Sequence, residues 1–192
     1  MPPVQCKGSA PYSTRAWVIR EYGKPTWEAI LADIAPAHRT WMDSPLSFAW
    51  YPIEGFDQLF AAMFTHCVRG DARKADALFR AAGRHIADDN LSTIYKVVLA
   101  FAKPDHVISL LPRMWSTYFS GITIDVERPD PKLRAGVCRV RGLRLRYVGP
   151  AAAGWIEYAY EKVGCRDARV VEQGFSKGVI VSDDLHYDMR WS

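Results

Sequence analysis

Gly174-Phe175-Ser176-Lys177-Gly178 has the G-x-S-x-G spacing, and Asp183, Asp184 and His186 follow it in the chain order of an α/β-hydrolase triad. In a hydrolase that spacing lifts a serine hydroxyl on a sharp strand-to-helix turn, beside the N–H groups that hold an oxyanion. Here the strand-like run Val179-Ile180-Val181 follows, and the ten-position separation of Ser176 and His186 leaves no room for the intervening fold. The segment reads as a glycine-bounded hairpin loop, and no catalytic residue is assigned.

A second chemistry is electrostatic. Lys132, Arg134, Arg139, Arg141, Arg144 and Arg146 form a basic run with no acid between Lys132 and Tyr147. A ribbon so charged can lie on phosphates. Yet Arg144 and Arg146 alternate with Leu143 and Leu145 as a solvated sheet face does, and no helix-turn-helix or RNP-like pattern accompanies them. Arg139, Arg141, Arg144 and Arg146 are the patch for an anionic partner, should there be one; nucleic acid is not expected.

His38, His66, His85, His106 and His186 are dispersed, with no H-x-x-x-H pair. His66 and Cys67 are adjacent, so on a helix they point about 100° apart and cannot act as a dyad. Cys6, Cys67, Cys138 and Cys165 contain no C-x-x-C pair, so no metal site is expected and the thiols are taken as reduced. His85 and His106 each stand beside an apolar helical stripe. Trp115, Tyr118, Phe119, Trp155 and Tyr158 are the densest aromatic group. They either pack the core or line an apolar pocket, the usual form of a small-molecule site.

These residues must be held by elements that the periodicity predicts. Helices are expected over 13–22, closed by Gly23, and from Pro25 through Trp27, Ile30 and Ile34. A stripe at Phe56, Leu59, Phe60, Met63 and Cys67 predicts another, stopped at Gly70 and followed by one carrying Ala75, Leu78, Phe79, Ala82 and Ile86. A further helix is expected around Ile94, Val97, Val98 and Phe101. The next opens at Pro104 and runs to Phe119, with Pro112 kinking or splitting it. At Gly121 the period turns from helical to alternating. Strands are expected over 122–127, 133–141, 143–148, 168–173 and 185–191, with a helix from Pro150 to Val163 between the third and fourth. Strands joined by short turns imply an antiparallel sheet.

The chain has 192 residues, 49% of them apolar and 24% charged, with a net charge of 25 − 21 = +4. That composition excludes a disordered, collagen-like or disulfide-stapled chain. The longest apolar run, 97–102, is far short of the roughly 20 residues of a membrane span. The first residues hold no apolar signal region, so the cytoplasm is the expected location.

Trp50-Tyr51-Pro52, Gly83-Arg84, the Pro104 helix with Trp115 and Tyr118 ending at Gly121, Trp155 with Gly164, and Tyr187-x-x-x-Trp191 carry a resemblance. Over 44–192 the chain resembles a myxobacterial-type, hence bacterial, family of uncharacterised function. That family is similar to 4-vinyl-reductase-type binding domains, haem-NO-binding domains and the transport-particle (TRAPP) subunits of vesicle tethering. The resemblance implies a helical layer on an antiparallel sheet, enclosing an apolar cavity for haem, a lipid chain or another hydrophobic molecule, often in a dimer. The haem-binding branch carries Tyr-x-Ser-x-Arg for the propionates, which this sequence does not contain.

Together these readings predict an α+β protein. An N-terminal helical layer packs on an antiparallel sheet of four or five strands with one late helix, divided into a segment 1–44 and a domain 45–192. The expected function is a non-catalytic binding or signalling module holding an apolar molecule between helices 104–120 and 150–163 and the sheet. Its pocket residues are His106, Leu110, Met114, Trp115, Tyr118, Trp155 and Tyr158. A ligand-free protein scaffold is the alternative; a haem-based sensor, a serine hydrolase and a nucleic-acid binder stand below it. A homodimer or another protein is the expected partner, and no cofactor is named.

Overall fold

The computed structural model describes residues 3–91, 102–130, 132–165 and 167–192. The helix expected around Ile94 to Phe101 lies outside them. The helical half comes first. Its elements are β1 (Gln5–Lys7), α1 (Ser9–Tyr22), α2 (Lys24–Asp33), α3 (Pro36–Asp43), β2 (Trp50–Pro52), α4 (Ile53–Val68) and α5 (Ala72–Leu91). Gly23, at φ +85°, separates α1 from α2, a backbone state that glycine adopts without a Cβ penalty. At the start of α5 the Asp71 carboxylate accepts the Arg73 N–H at 3.1 Å.

The second half holds α6 (Pro104–Trp115), β3 (Phe119–Ser120), β4 (Thr123–Glu127), β5 (Ala135–Arg141), α7 (Val148–Lys162), β6 (Arg169–Glu172) and β7 (Asp184–Arg190). Strands β4-β5-β7-β6 make one antiparallel sheet, and β2-β1-β3 a smaller one. The α+β class is therefore as expected. The small sheet was not anticipated. Its strands are too short to alternate visibly, yet β1 pairs with β2 and β3 and so ties residues 5–7 to both halves of the chain.

Two further expectations change. No strand forms over 143–148. Leu143 and Leu145 are fully buried, but the backbone that follows finds partners outside any ladder. The Arg146 N–H donates to Asp57 Oδ1 at 2.7 Å, and the Tyr147 N–H to the Ile180 carbonyl at 2.9 Å. The alternation belongs to a loop dipping into the core. Helix α6 also ends at Trp115 rather than Phe119, and Pro112 does not split it. Pro112 sits in the last turn, where its carbonyl accepts the Ser116 N–H at 3.1 Å.

One face of the large sheet is the core face. In register across it lie Val126, Cys138, Tyr187 and Glu172, with Ile124, Val140 and Leu185 in the neighbouring row. Tyr187 is fully buried and its hydroxyl has no hydrogen-bond partner. Burial raises its pKa well above the usual value, with Glu172 adding to the rise. An unpaired buried hydroxyl keeps its desolvation penalty, about 1–3 kcal/mol. Tyr187→Phe is therefore expected to leave stability unchanged or raise it by about 1 kcal/mol in urea unfolding. A loss of that size would mean that the hydroxyl has a partner.

Burial also pushes the Cys6, Cys67 and Cys138 thiols up to about 12, from an ordinary 9.0. The folded chain then keeps protons that unfolded thiols release. The stability these neutral thiols contribute is whole below pH 9 and is lost as pH climbs toward 12. Urea midpoints should fall above about pH 9. Cys138→Ala should fall less steeply, and a profile identical to wild type would remove Cys138 from the explanation.

Candidate functional site

Helices α5 and α7 pack with their backbones in contact. A Cβ placed on Gly83 would overlap the Ala151 carbonyl, and one on Gly154 would overlap the Arg80 backbone. Only glycine permits that approach. Ion pairs lock its flank. Arg80 donates to Asp76 at 2.9 Å and to Glu157 at 2.8 Å. Arg84 donates to both oxygens of Glu161, at 2.8 and 2.6 Å. Asp88 accepts the Tyr158 hydroxyl.

Beside this contact is a chamber of about 50 Å³. Ala10 of α1, Phe56 and Phe60 of α4, and Gly83 and Ile86 of α5 form one side. Trp115, Tyr118 and Phe119, at the end of α6 and beyond, form another. Leu145, Val148, Ala151, Ala152 and Trp155 complete it. The chamber is thus framed by helices and the segment into β3; the large sheet contributes no wall. Trp155 is the hub of its aromatic side, edge-on to Trp115 at 6.3 Å and to Tyr118 at 6.0 Å between ring centroids.

Of the residues expected to line a ligand pocket, the structure places Trp115, Tyr118 and Trp155 on the wall of this chamber. His106 is exposed at the first turn of α6, and Leu110 and Met114 pack elsewhere in the core. Tyr158 lies on the outer flank of α7, with the Lys162 ammonium 4.5 Å from its ring centre. The lining residues that sequence reasoning missed are mostly small or aliphatic: Ala10, Gly83, Ile86, Ala151, Ala152. A signal for them existed in Pro150-Ala151-Ala152-Ala153-Gly154, five short side chains in sequence, a stretch suited to close backbone approach.

Tyr147, at φ +58°, was also missed. A non-glycine residue in that region costs of order 1–3 kcal/mol and persists only when its surroundings hold it. They do: its ring lies between Phe79, at 4.5 Å, and Phe64, at 4.9 Å.

The basic patch is paired within the chain at Arg141 and Arg146, and only loosely at Arg144. Arg141 pairs with Asp125, and Arg146 grips Asp57 through Nε at 3.0 Å and Nη2 at 2.6 Å. Arg144 Nε lies 3.9 Å from Asp183. Arg139 is exposed on the outer sheet face, in register with Asp125 and His186. Arg144 and Arg146 also border an open surface cleft of about 640 Å³, where Glu54 and Asp57 balance their charge.

The G-x-S-x-G segment is the β6–β7 connection, with one 3₁₀ turn over Phe175–Lys177. The Ser176 hydroxyl donates to the Gln173 carbonyl at 2.9 Å. The buried Glu172 carboxylate accepts the N–H groups of Gly174 and Phe175, donors that an oxyanion would need. His186 faces Asp188 at 3.5 Å. The loop is thus satisfied by its own chain.

Among the described residues, no group of three or more His, Cys, Asp or Glu side chains is arranged to hold a metal ion. No helix among them is long and apolar enough to cross a membrane.

Compared by sequence, the chain matches no family model and no curated protein. Compared by structure, it is similar to H-NOX proteins over nearly all its length. The Fe(II) unliganded H-NOX protein of K. algicida superposes with a TM-score of 0.71 at 11% identity, covering 97% of this chain and 96% of that one. The S. oneidensis H-NOX protein in its Fe(II)NO ligation state gives 0.69 at 15% identity, over 97% and 99% of the two chains. A mutant of the T. tengcongensis H-NOX gives 0.61 at 12% identity, over 97% of each. This finding corrects the functional order drawn from the sequence. A module for an apolar molecule, or a ligand-free scaffold, stood first there, and haem-type sensing stood below them. The architecture found instead, from β1 to β7, is the fold of the H-NOX proteins.

Proposed function

We propose that the chain is a non-enzymatic sensor domain whose input is a small gas molecule. The observation that carries this reading is the likeness of 97% of the chain to H-NOX proteins, among them structures in NO- and CO-ligated states. The chamber supports it by size. About 50 Å³ is roughly a third of the ~150 Å³ apolar cavity that admits benzene, so it suits a single large atom or a diatomic molecule. Its lining is apolar.

Among the described residues, the lining supplies no histidine, cysteine or methionine to ligate iron and no lysine or arginine to hold a propionate; Tyr118 is their one phenol there. A haem does not fit it, and nothing in the reading passes through one. This chain's own residues present the gas with aromatic faces and methyl groups. Two heavy atoms gain at most about 3 kcal/mol from such contacts. Half-occupancy then requires at least ~6 mM dissolved gas. The signal is a shift of packing, which requires the gas to favour one arrangement of α1, α4, α5 and α7 over another.

The test is methyl NMR of the full chain, labelled at alanine and isoleucine, under argon and then under several atmospheres of carbon monoxide. Saturable shifts are expected at Ala10, Ile86, Ala151 and Ala152, with smaller ones along α5 and α7. Spectra identical under both gases would overturn the reading.

A further inference from the structure

We infer that this chain keeps the H-NOX fold without a tetrapyrrole, its own indoles occupying the space between the helices. The inference rests on the sensor reading for the identity of the gas, but not for the exclusion of the macrocycle.

Three observations carry it. The first is room. The chamber that Trp115 and Trp155 leave is about 50 Å³. A single benzene-sized ring needs roughly three times that volume. A macrocycle of four such rings would have to displace both indoles, each about 95% buried.

The second is ligation. Iron in a haem is held by His, Cys, Met or Tyr side chains. None of the five histidines is among the residues lining the chamber. His66 Nε2 lies 2.7 Å from Asp33, and His85 and His186 face Asp89 and Asp188 at 3.4 and 3.5 Å. His38 packs edge-on to Trp41, and His106 is exposed on α6. The four cysteines lie outside the lining as well. Among the described residues, Tyr118 is the one phenol on the wall, and its ring is already engaged against Trp155. The wall over 145–152 reads Tyr147-x-Gly149-x-Ala151, so the serine and arginine of a propionate-holding Tyr-x-Ser-x-Arg have no counterpart in it.

The third is rigidity. Widening the chamber means parting α5 from α7. Their backbones touch at Gly83 and Gly154, and Arg80 and Arg84 clamp them to Glu157 and Glu161. The Arg80–Glu157 pair is partly buried, and the exposed Arg84–Glu161 pair is bidentate. The walls do not yield to admit a larger group without losing these contacts together.

The test is titration of the full chain with haemin, then reduction and carbon monoxide, followed by absorption and by native mass spectrometry. The expected result is no stoichiometric Soret band and the mass of the apoprotein. A 1:1 haem complex with a sharp Fe(II)CO band overturns the inference. Tyr118→Phe, titrated alongside, shows whether Tyr118 supplies the ligand in that event, by losing the band. The methyl NMR separates the two claims. Haem uptake with a gas response defeats the inference and leaves the sensor reading standing. No haem and no gas response at the chamber methyls defeats the sensor reading alone.

Discussion

Gly83→Ala is expected to destabilise the fold by about 3 kcal/mol, the upper end for overpacking a core. The methyl group would land on the Ala151 carbonyl, which is backbone and cannot rotate away. Relief requires α5 and α7 to separate, and separation strains the Arg80–Glu157 and Arg84–Glu161 pairs beside the contact. Gly154→Ala should behave alike, since its Cβ meets the Arg80 backbone. The two sites share one helix contact, so the double variant should cost less than the sum of the singles. Urea unfolding measures all three. A wild-type midpoint for Gly83→Ala would show that the helices stand further apart and would remove the rigidity argument against a larger ligand.

The second large effect lies at Trp155. Its indole is 5% exposed and touches both Trp115 and Tyr118. Trp155→Ala is expected to cost about 3–5 kcal/mol, from lost burial and from the cavity left behind. That cavity joins the existing chamber. The variant should therefore bind a benzene-sized molecule that the wild type excludes, and recover part of its stability as that molecule is added. A hundredfold excess over the dissociation constant returns about 2.7 kcal/mol. Thermal unfolding with and without benzene reads both effects. Equal stabilisation of wild type and variant would mean that the chamber is larger than 50 Å³ or that benzene binds elsewhere.

The longer helices of this protein were legible because their stripes are long, whereas α3, eight residues with Met42 alone buried, was not expected. Phe56 to Cys67 and Ala75 to Ile86 each repeat over several turns, and β7 alternates over seven residues. Leu143 and Leu145 misled because burial at every second residue does not require a ladder; Asp57 and the Ile180 carbonyl satisfy the backbone instead. β1 was invisible because its meaning lies in partners more than forty positions away, Trp50–Pro52 and Phe119–Ser120.

The site was half legible. Trp115, Tyr118 and Trp155 stand out by side-chain size and spacing on their helices. The residues that shape the remainder of the chamber act through being small, and Gly83 and Ala151 carry no chemistry to notice in a sequence. His106 misled for the opposite reason. Its side chain has chemistry, but the first turn of α6 turns it to solvent.

The central claim is that the chamber between Gly83, Trp115 and Trp155 takes a molecule the size of a diatomic gas. The most direct measurement is a crystal structure of the full chain under xenon pressure. The account predicts one xenon atom within contact of Trp115, Trp155 and Ala151, with the flanking Arg80–Glu157 pair intact. Xenon found only elsewhere, or none at all at several atmospheres, would contradict it.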